Sequence, residues 1–411
     1  MIRNVVVGVS GGVDSAVSAH LLAERGFNVL GVFMRNWDEM DEVGRCSGEA
    51  DLKDAEWACR QLGVELRQVN YVREYWTAVF SQFLDDYQLG LTPNPDILCN
   101  RHIKFDLFHK HALENLGYDA VATGHYAGNS LGNFLEGTAS NDEARLLIPA
   151  DTFKDQTFFL AGIPHKALQR TMFPLGDWQK SQVKDLAKKI GLQRLANKKE
   201  STGICFVGKR NFKDFIQEYI VSKTGPFLDI DSGAVVGHHE GIHQWTVGQR
   251  CRLSSFLQPY FVARKEAASN TIYVAAGHNH PALLSTHIDV DPPNWLCSKS
   301  QKMLSDTGSL RCRFRFQHTK PLVVCHLKIS PSNSFHVELD APLRAITPGQ
   351  YAVFYNDTAC LGSARILSAN PLKKDAQTQQ AHAANLVSSS TGEIPLGKCT
   401  KYKDAVISRV N

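Results

Sequence analysis

Val5-Val6-Val7-Gly8-Val9-Ser10-Gly11-Gly12-Val13-Asp14-Ser15 runs from a β-branched apolar segment straight into a Gly-rich turn. Residues 2–9 read as a short buried strand of the parallel-sheet kind. The pattern from Asp14 to Arg25 predicts a helix, closed by Gly26. Glycines let a backbone approach a phosphate closely, and N–H groups at a helix start face an anion. Ser10 and Ser15 add hydroxyl donors. No Lys-Ser/Thr pair follows the glycines, and their spacing is not G-x-G-x-x-G, so the turn is neither a Walker A loop nor a dinucleotide fingerprint. An ordinary glycine turn is the plain alternative, but the full Ser-Gly-Gly-x-Asp-Ser string between strand and helix is far more specific. Asp14 reads either as a metal ligand or loop organiser, or as an N-terminal acid favoured by the helix dipole; the sequence leaves both open.

Outward from this turn, strands alternate with helices. Strands are predicted at 29–33, 64–69 and 119–123, and helices at 50–62, 72–88 and 102–116, several of them stopped by Gly. That alternation predicts an α/β doubly wound parallel sheet, in which ligands sit beyond the carboxyl ends of the strands. Residues 180–190 are amphipathic, with Val183, Leu186, Ala187 and Ile190 on one stripe and Lys180, Lys184 and Lys188 on another. After about residue 220 the pattern turns β-rich: short runs at 233–238, 244–248, 259–264, 271–275, 309–316, 321–329, 334–339 and 351–355 predict two small β domains, the last a β-barrel. The expected division is 1–215, 216–290, 291–367, and a polar flexible tail at 368–411.

With 411 residues the chain has room for about two to four domains, and 43% hydrophobic residues exclude wholesale disorder. No run of about 18 apolar residues exists, so no membrane span is expected. Val5 follows Met1 too closely for a signal peptide, and ten Cys without dense spacing suggest a reducing compartment. The net charge of +4 names no partner, but its distribution does more. From Lys166 to Lys213 there are twelve Lys and Arg against Asp177, Asp185 and Glu200, while Asn36 to Arg60 is acidic. Such a basic zone fits a polyanion, or merely a solvated helix face. No C-x-x-C occurs, and His238, His239 and His243 have no matching ligands, so no protein-held metal is expected.

Two cysteines stand in unusual settings. Cys99 follows Asn94-Pro95-Asp96, where the prolines force an irregular loop before a helix expected near Asn100. Asp96 there has a plain reading as an N-cap. Cys205 follows Lys198-Lys199-Glu200-Ser201-Thr202-Gly203-Ile204, inside the basic zone, where cations lower a thiol pKa from its usual value near about 8.5. Taken alone, either is a small buried hydrophobe.

The Gly8–Ser15 string resembles the PP-loop of the ATP pyrophosphatase superfamily (adenine nucleotide alpha hydrolase-like). With it, several ordered strings resemble the bacterial and mitochondrial tRNA 2-thiouridylases. They are Gly31-Val32-Phe33-Met34, Asn94 to Asn100, Thr123-Gly124-His125-Tyr126, Lys154-Asp155-Gln156, Ser201 to Phe206, Gly248-Gln249-Arg250 and Thr347-Pro348-Gly349-Gln350. The resemblance implies ATP-dependent 2-thiolation of the wobble uridine of a tRNA anticodon stem-loop. It implies adenylation of the C2 oxygen, with AMP and pyrophosphate released. It assigns ATP, with its Mg²⁺, to Gly8, Val9, Ser10, Gly11, Gly12, Val13, Asp14, Ser15, Met34 and Gly124. It assigns the persulfide, delivered by a sulfur-relay donor protein, to Cys205. Cys99 becomes the partner nucleophile and transient disulfide mate of Cys205, and Asp96 the acid/base group. Contacts to tRNA are implied for Asn94, Pro95, Asp96, His125, Lys154, Asp155, Gln156 and Gln350. Arg315-Phe316 stands where the family has Arg-Tyr, and so lacks a hydroxyl. Lys180, Lys184, Lys188, Lys198 and Lys199 are candidates to grip phosphate.

Physically, a uracil oxygen is a poor leaving group until esterified, and releasing a persulfide sulfur takes a second thiol. Another PP-loop ligase would explain the loop but neither cysteine, and an inactive RNA-binding protein would have no use for the loop. The resemblance is closest to mitochondrial members, which implies the matrix, or the cytoplasm for a bacterial protein. No Arg-rich presequence is visible before Val5, and a monomer is expected.

Overall fold

β1 (Asn4–Gly8), α1 (Val13–Glu24), β2 (Asn28–Arg35), α2 (Ser47–Leu62), β3 (Glu65–Asn70) and β4 (Ala120–Ala122) follow one another as the alternation requires. The computed structural model describes residues 2–37, 47–137, 143–199, 204, 206–208, 210–253, 257–330 and 332–372. Cys205, its neighbours 200–203, Cys46 and 373–411 lie outside the described residues.

β1 pairs in parallel with β2 on one side and β4 on the other, and β3 and the strand Thr171–Met172 complete a five-stranded sheet. Val5, Val6 and Val7 are wholly buried, because a central parallel strand has helices on both faces. The chain order reverses between β2 and β4 across β1, and in such sheets ligands bind at the carboxyl ends beside that point. Residues 72–88 form one continuous helix with a wider π-type stretch at Trp76–Phe80. A second continuous helix begins at Pro95 rather than near Asn100, because Asn94 Oδ1 accepts the Ile97 N–H and Pro at the first helical position needs no donor. Its turns widen again over Cys99–Leu107. The amphipathic helix appears as Lys180–Lys189, with Val183 and Ala187 buried.

The β-rich half contains a five-stranded sheet and a closed barrel. In the first, Arg250–Cys251, Tyr260–Glu266, Thr271–Ala276, Gly225–Asp229 and Val235–His239 lie side by side. The run expected as a strand at 244–248 is instead irregular, following a short 3₁₀ turn, Ile242–Gln244. In the barrel, Leu284–Val290, Phe335–Arg344, Val323–Ile329, Ser309–Arg315, Tyr351–Tyr355 and Ala359–Pro371 pair in that order, and the last pairs back onto the first. Two expectations are thereby corrected. Leu284–Val290, assigned to the central part, is a barrel strand, because only it can cover both open edges. The tail cannot start at Ser368, since Ser368–Pro371 complete that closure. The last barrel strand also pairs with Leu146–Leu147, which fastens the barrel to the first part.

Candidate active site

The Gly8–Ser15 loop closes on itself. Ser15 Oγ accepts the Ser10 N–H at 3.1 Å, donates to Gly12 O at 3.1 Å and lies 3.2 Å from Ser10 Oγ. Gly11 has φ +71°, and a Cβ there would lie 2.2 Å from Asp51 O. A Cβ on Gly124, just after β4, would lie 2.7 Å from Ser15 N, and one on Gly8 would lie 3.2 Å from Met34 Cε. The switch point thus brings together the loop, Met34 and Gly124. Side-chain-free backbone beside the α1 N-terminus is the cradle a phosphate chain needs.

Asp14 is held by two groups. Lys180 Nζ lies 2.7 Å from both its oxygens, and Tyr126 Oη donates to it at 2.9 Å. Asp14 therefore organises the loop mouth, whichever further role it has. Lys198 Nζ donates to Gly11 O (3.2 Å), Asp51 (2.8 Å) and Asp54 (2.6 Å). Lys180 and Lys198 thus brace the loop, so for these two the reading as merely solvated side chains is corrected. Their acidic partners, distant in sequence, explain why the charge run looked free.

Around the second helix's start, the barrel supplies a brace. Gln350 Nε2 donates to Thr92 O (2.9 Å) and Pro93 O (3.2 Å), and Asn94 Nδ2 donates to Gln350 Oε1 at 3.4 Å. Thr92 N donates to Pro348 O at 3.0 Å. Gln350 in this structure holds the Asn94-Pro95-Asp96 loop, not an outer surface. Burial pushes the Asp96 carboxyl above its usual range, and the charge of Lys104 opposes that rise. Lys104 Nζ also lies 3.5 Å from His125 Nε2, while His125 Nδ1 bonds Thr123 Oγ1 at 2.9 Å. Burial, then Lys104, holds the His125 pKa well below its usual value. Lys104 escaped the sequence reading, because its link to His125 spans 21 positions that only folding closes.

Cys99 is 8% exposed and belongs to an aromatic cluster with Tyr75, Phe80, Phe83 and Phe206. Ile204 and Phe206, the two residues flanking Cys205, pack in that same cluster.

Lys154-Asp155-Gln156 divides three ways. Gln156 exchanges hydrogen bonds with the Tyr126 backbone, at 2.9 Å each. Lys154 N is held by Asp151. Asp155 is buried, and with Thr157 and Arg315 it forms an internal network: Arg315 Nη2 lies 2.5 Å from Asp155 Oδ2 and 2.9 Å from Tyr355 Oη. Arg315 is 8% exposed and Phe316 3%. The expected tRNA contacts of Asp155, Arg315 and Phe316 are therefore corrected: Asp155 and Arg315 face inward and join the barrel to the first part, and Phe316 packs in the barrel's own core. Tyr355, not residue 316, supplies the hydroxyl beside the arginine.

A family model described as tRNA methyl transferase HUP domain matches residues 3–209. Models described as tRNA methyl transferase PRC-barrel domain and aminomethyltransferase beta-barrel domain match 213–276 and 285–366. The mitochondrial tRNA-specific 2-thiouridylase 1 of Drosophila melanogaster is 92% identical over 94% of this chain and 100% of its own length. The chain belongs to the tRNA-specific 2-thiouridylase family. The human protein of the same description is 42% identical, covering 93% of this chain and 94% of its own. The tRNA-specific 2-thiouridylase MnmA of Proteus mirabilis is 40% identical, covering 88% of this chain and 96% of its own.

Proposed function

We propose that this chain transfers sulfur to C2 of the wobble uridine of tRNA, using ATP, in the mitochondrial matrix. As a family member it is a tRNA-modifying sulfurtransferase; the chemistry below is the reading its geometry supports. Gly8 to Ser15, Met34 and Gly124 would hold ATP, and Mg²⁺ bound to the phosphates would neutralise their charge. The uracil O2 attacks the α-phosphate and pyrophosphate leaves. The terminal sulfur of a Cys205 persulfide then attacks C2 and AMP leaves. The Cys99 thiolate takes the Cys205 sulfur as a disulfide when the terminal sulfur departs. Asp96, raised by burial and steadied by Lys104, is suited to exchange a proton with the ring.

The observation that carries this reading is the shared cluster: Cys99 and both neighbours of Cys205 pack together, although 106 positions separate the two cysteines. The uridine would have to leave the loop stack to reach that place. A donor protein would charge Cys205, and one chain, acting as a monomer, carries every residue named. The test is thiolation of an anticodon stem-loop with ATP, Mg²⁺ and a persulfide donor, with 2-thiouridine detected by mass. Product should vanish without ATP, and in Cys99→Ser and Cys205→Ser, while tRNA still binds. Single-turnover thiolation by Cys205→Ser would overturn the assignment.

A further inference from the structure

Large apolar side chains are mostly buried here, but Phe153 is 93% exposed, and its place in the site is unusual. It sits on a turn held at both ends. Asp151 Oδ1 accepts the N–H groups of Phe153 and Lys154, each at 3.2 Å, while Asp151 Oδ2 accepts Lys180 N at 2.9 Å. Three residues on, Gln156 is locked to the Tyr126 backbone. The same Lys180 reaches Asp14 at the PP-loop mouth, and Tyr126 does so as well. The turn that bears the ring is therefore tied to the start of the helix that carries Lys180, Lys184, Lys188 and Lys189, and through Lys180 and Tyr126 to the nucleotide loop.

We propose that Phe153 is a stacking platform for an unpaired base of the anticodon loop, one adjoining the uridine to be thiolated. The proposal rests on the function put forward above. Drawing the uridine out of its stack strips one face of a neighbouring base. An aromatic ring replaces that face without demanding a particular sequence, and the neighbouring lysines offset backbone phosphate charge. A hydrogen-bonded turn lowers the backbone ordering needed for the ring to meet the base. The occupant argued for is RNA, because one isolated ring beside cations is not the contiguous apolar patch that a protein partner requires.

The experiment uses the full chain and an anticodon stem-loop carrying 2-aminopurine next to the wobble uridine. Phe153→Ala and Phe153→Leu should bind about tenfold more weakly and lose the stacking quench of the fluorophore. Phe153→Tyr should keep both. All three should melt as the wild type does, since the ring contributes no core packing. Wild-type affinity and quench in Phe153→Leu would overturn the proposal. So would unchanged RNA affinity with impaired sulfur delivery from a donor protein alone, which would make Phe153 a protein-docking residue. Failure of the wild-type chain to thiolate the bound stem-loop would instead strike the functional reading, because binding and quench are measured without catalysis.

Discussion

Replacing Arg315 by Met separates a structural strut from an RNA contact. The guanidinium lies 2.5 Å from Asp155 and 2.9 Å from the Tyr355 hydroxyl, with Arg and Asp side chains 9% and 5% exposed. Removing one partner of a buried ion pair costs about 3–5 kcal/mol, because the other charge is stranded. Asp155 would keep the Thr157 N–H at 2.9 Å and hydroxyl at 2.6 Å, which argues for the lower end, about 3 kcal/mol. For a folding unit of this size that is a fall in melting temperature of about 6–12 °C. Adding Asp155→Asn should recover part of the loss, since neither charge then remains buried. Melting curves of the wild type, both single variants (Arg315→Met and Asp155→Asn) and the double variant would be paired with tRNA binding across salt concentrations. A lost phosphate contact lowers the salt slope by about 0.9. The strut predicts lower stability and an unchanged slope. Wild-type stability with a slope reduced by about 0.9 would refute the buried-strut reasoning.

Gly124→Ala puts a Cβ 2.7 Å from Ser15 N, so the phosphate loop must shift. ATP-dependent thiolation should fall about 10²-fold while tRNA binding persists, checked by single-turnover kinetics beside a filter-binding assay. Lys104→Met removes the charge that opposes the raised Asp96 pKa. If the Asp96 carboxylate acts as base, the acid limb of the pH–rate profile moves to higher pH; an unmoved limb would dissociate Lys104 from Asp96. Burial pushes the Lys265 pKa down from 10.5 to about 7, and its Nζ lies 2.6 Å from Trp245 O. Between those values the unfolded chain holds a proton that the folded chain has lost, so this group makes stability rise with pH across that window. Lys265→Met should flatten that rise in denaturant titrations, its stabilising effect being largest at or below about pH 7.

Much of the architecture was legible because local chemistry decided it. Valine runs could only be buried strands, glycines stopped the helices, and the Ser10–Ser15 string needed strand, turn and helix in that order. Helix Lys180–Lys189 followed from its period alone. The barrel boundary was not legible, since a strand such as Leu284–Val290 belongs to whichever sheet has open edges, which is a property of the whole sheet. The charges were misread for a similar reason. Lys180 and Lys198 look like surface cations until Asp14, Asp51 and Asp54 arrive from elsewhere in the chain.

By itself the order of residues marked the glycine loop, Asp96 and the two motif cysteines as candidates, and the roles proposed for them rest on the ordered strings that resemble the family. Only tertiary structure decided which of the remaining polar residues face inward. Arg315 and Asp155 lie 160 positions apart, and Gln350 lies 258 from Thr92, so no local pattern could mark them as partners. Burial makes such groups satisfy one another, because an unpaired charge or amide away from water is too costly to leave. That requirement turned two expected RNA contacts, Asp155 and Arg315, into an internal strut, and a barrel glutamine into the brace of the Asn94–Asp96 loop.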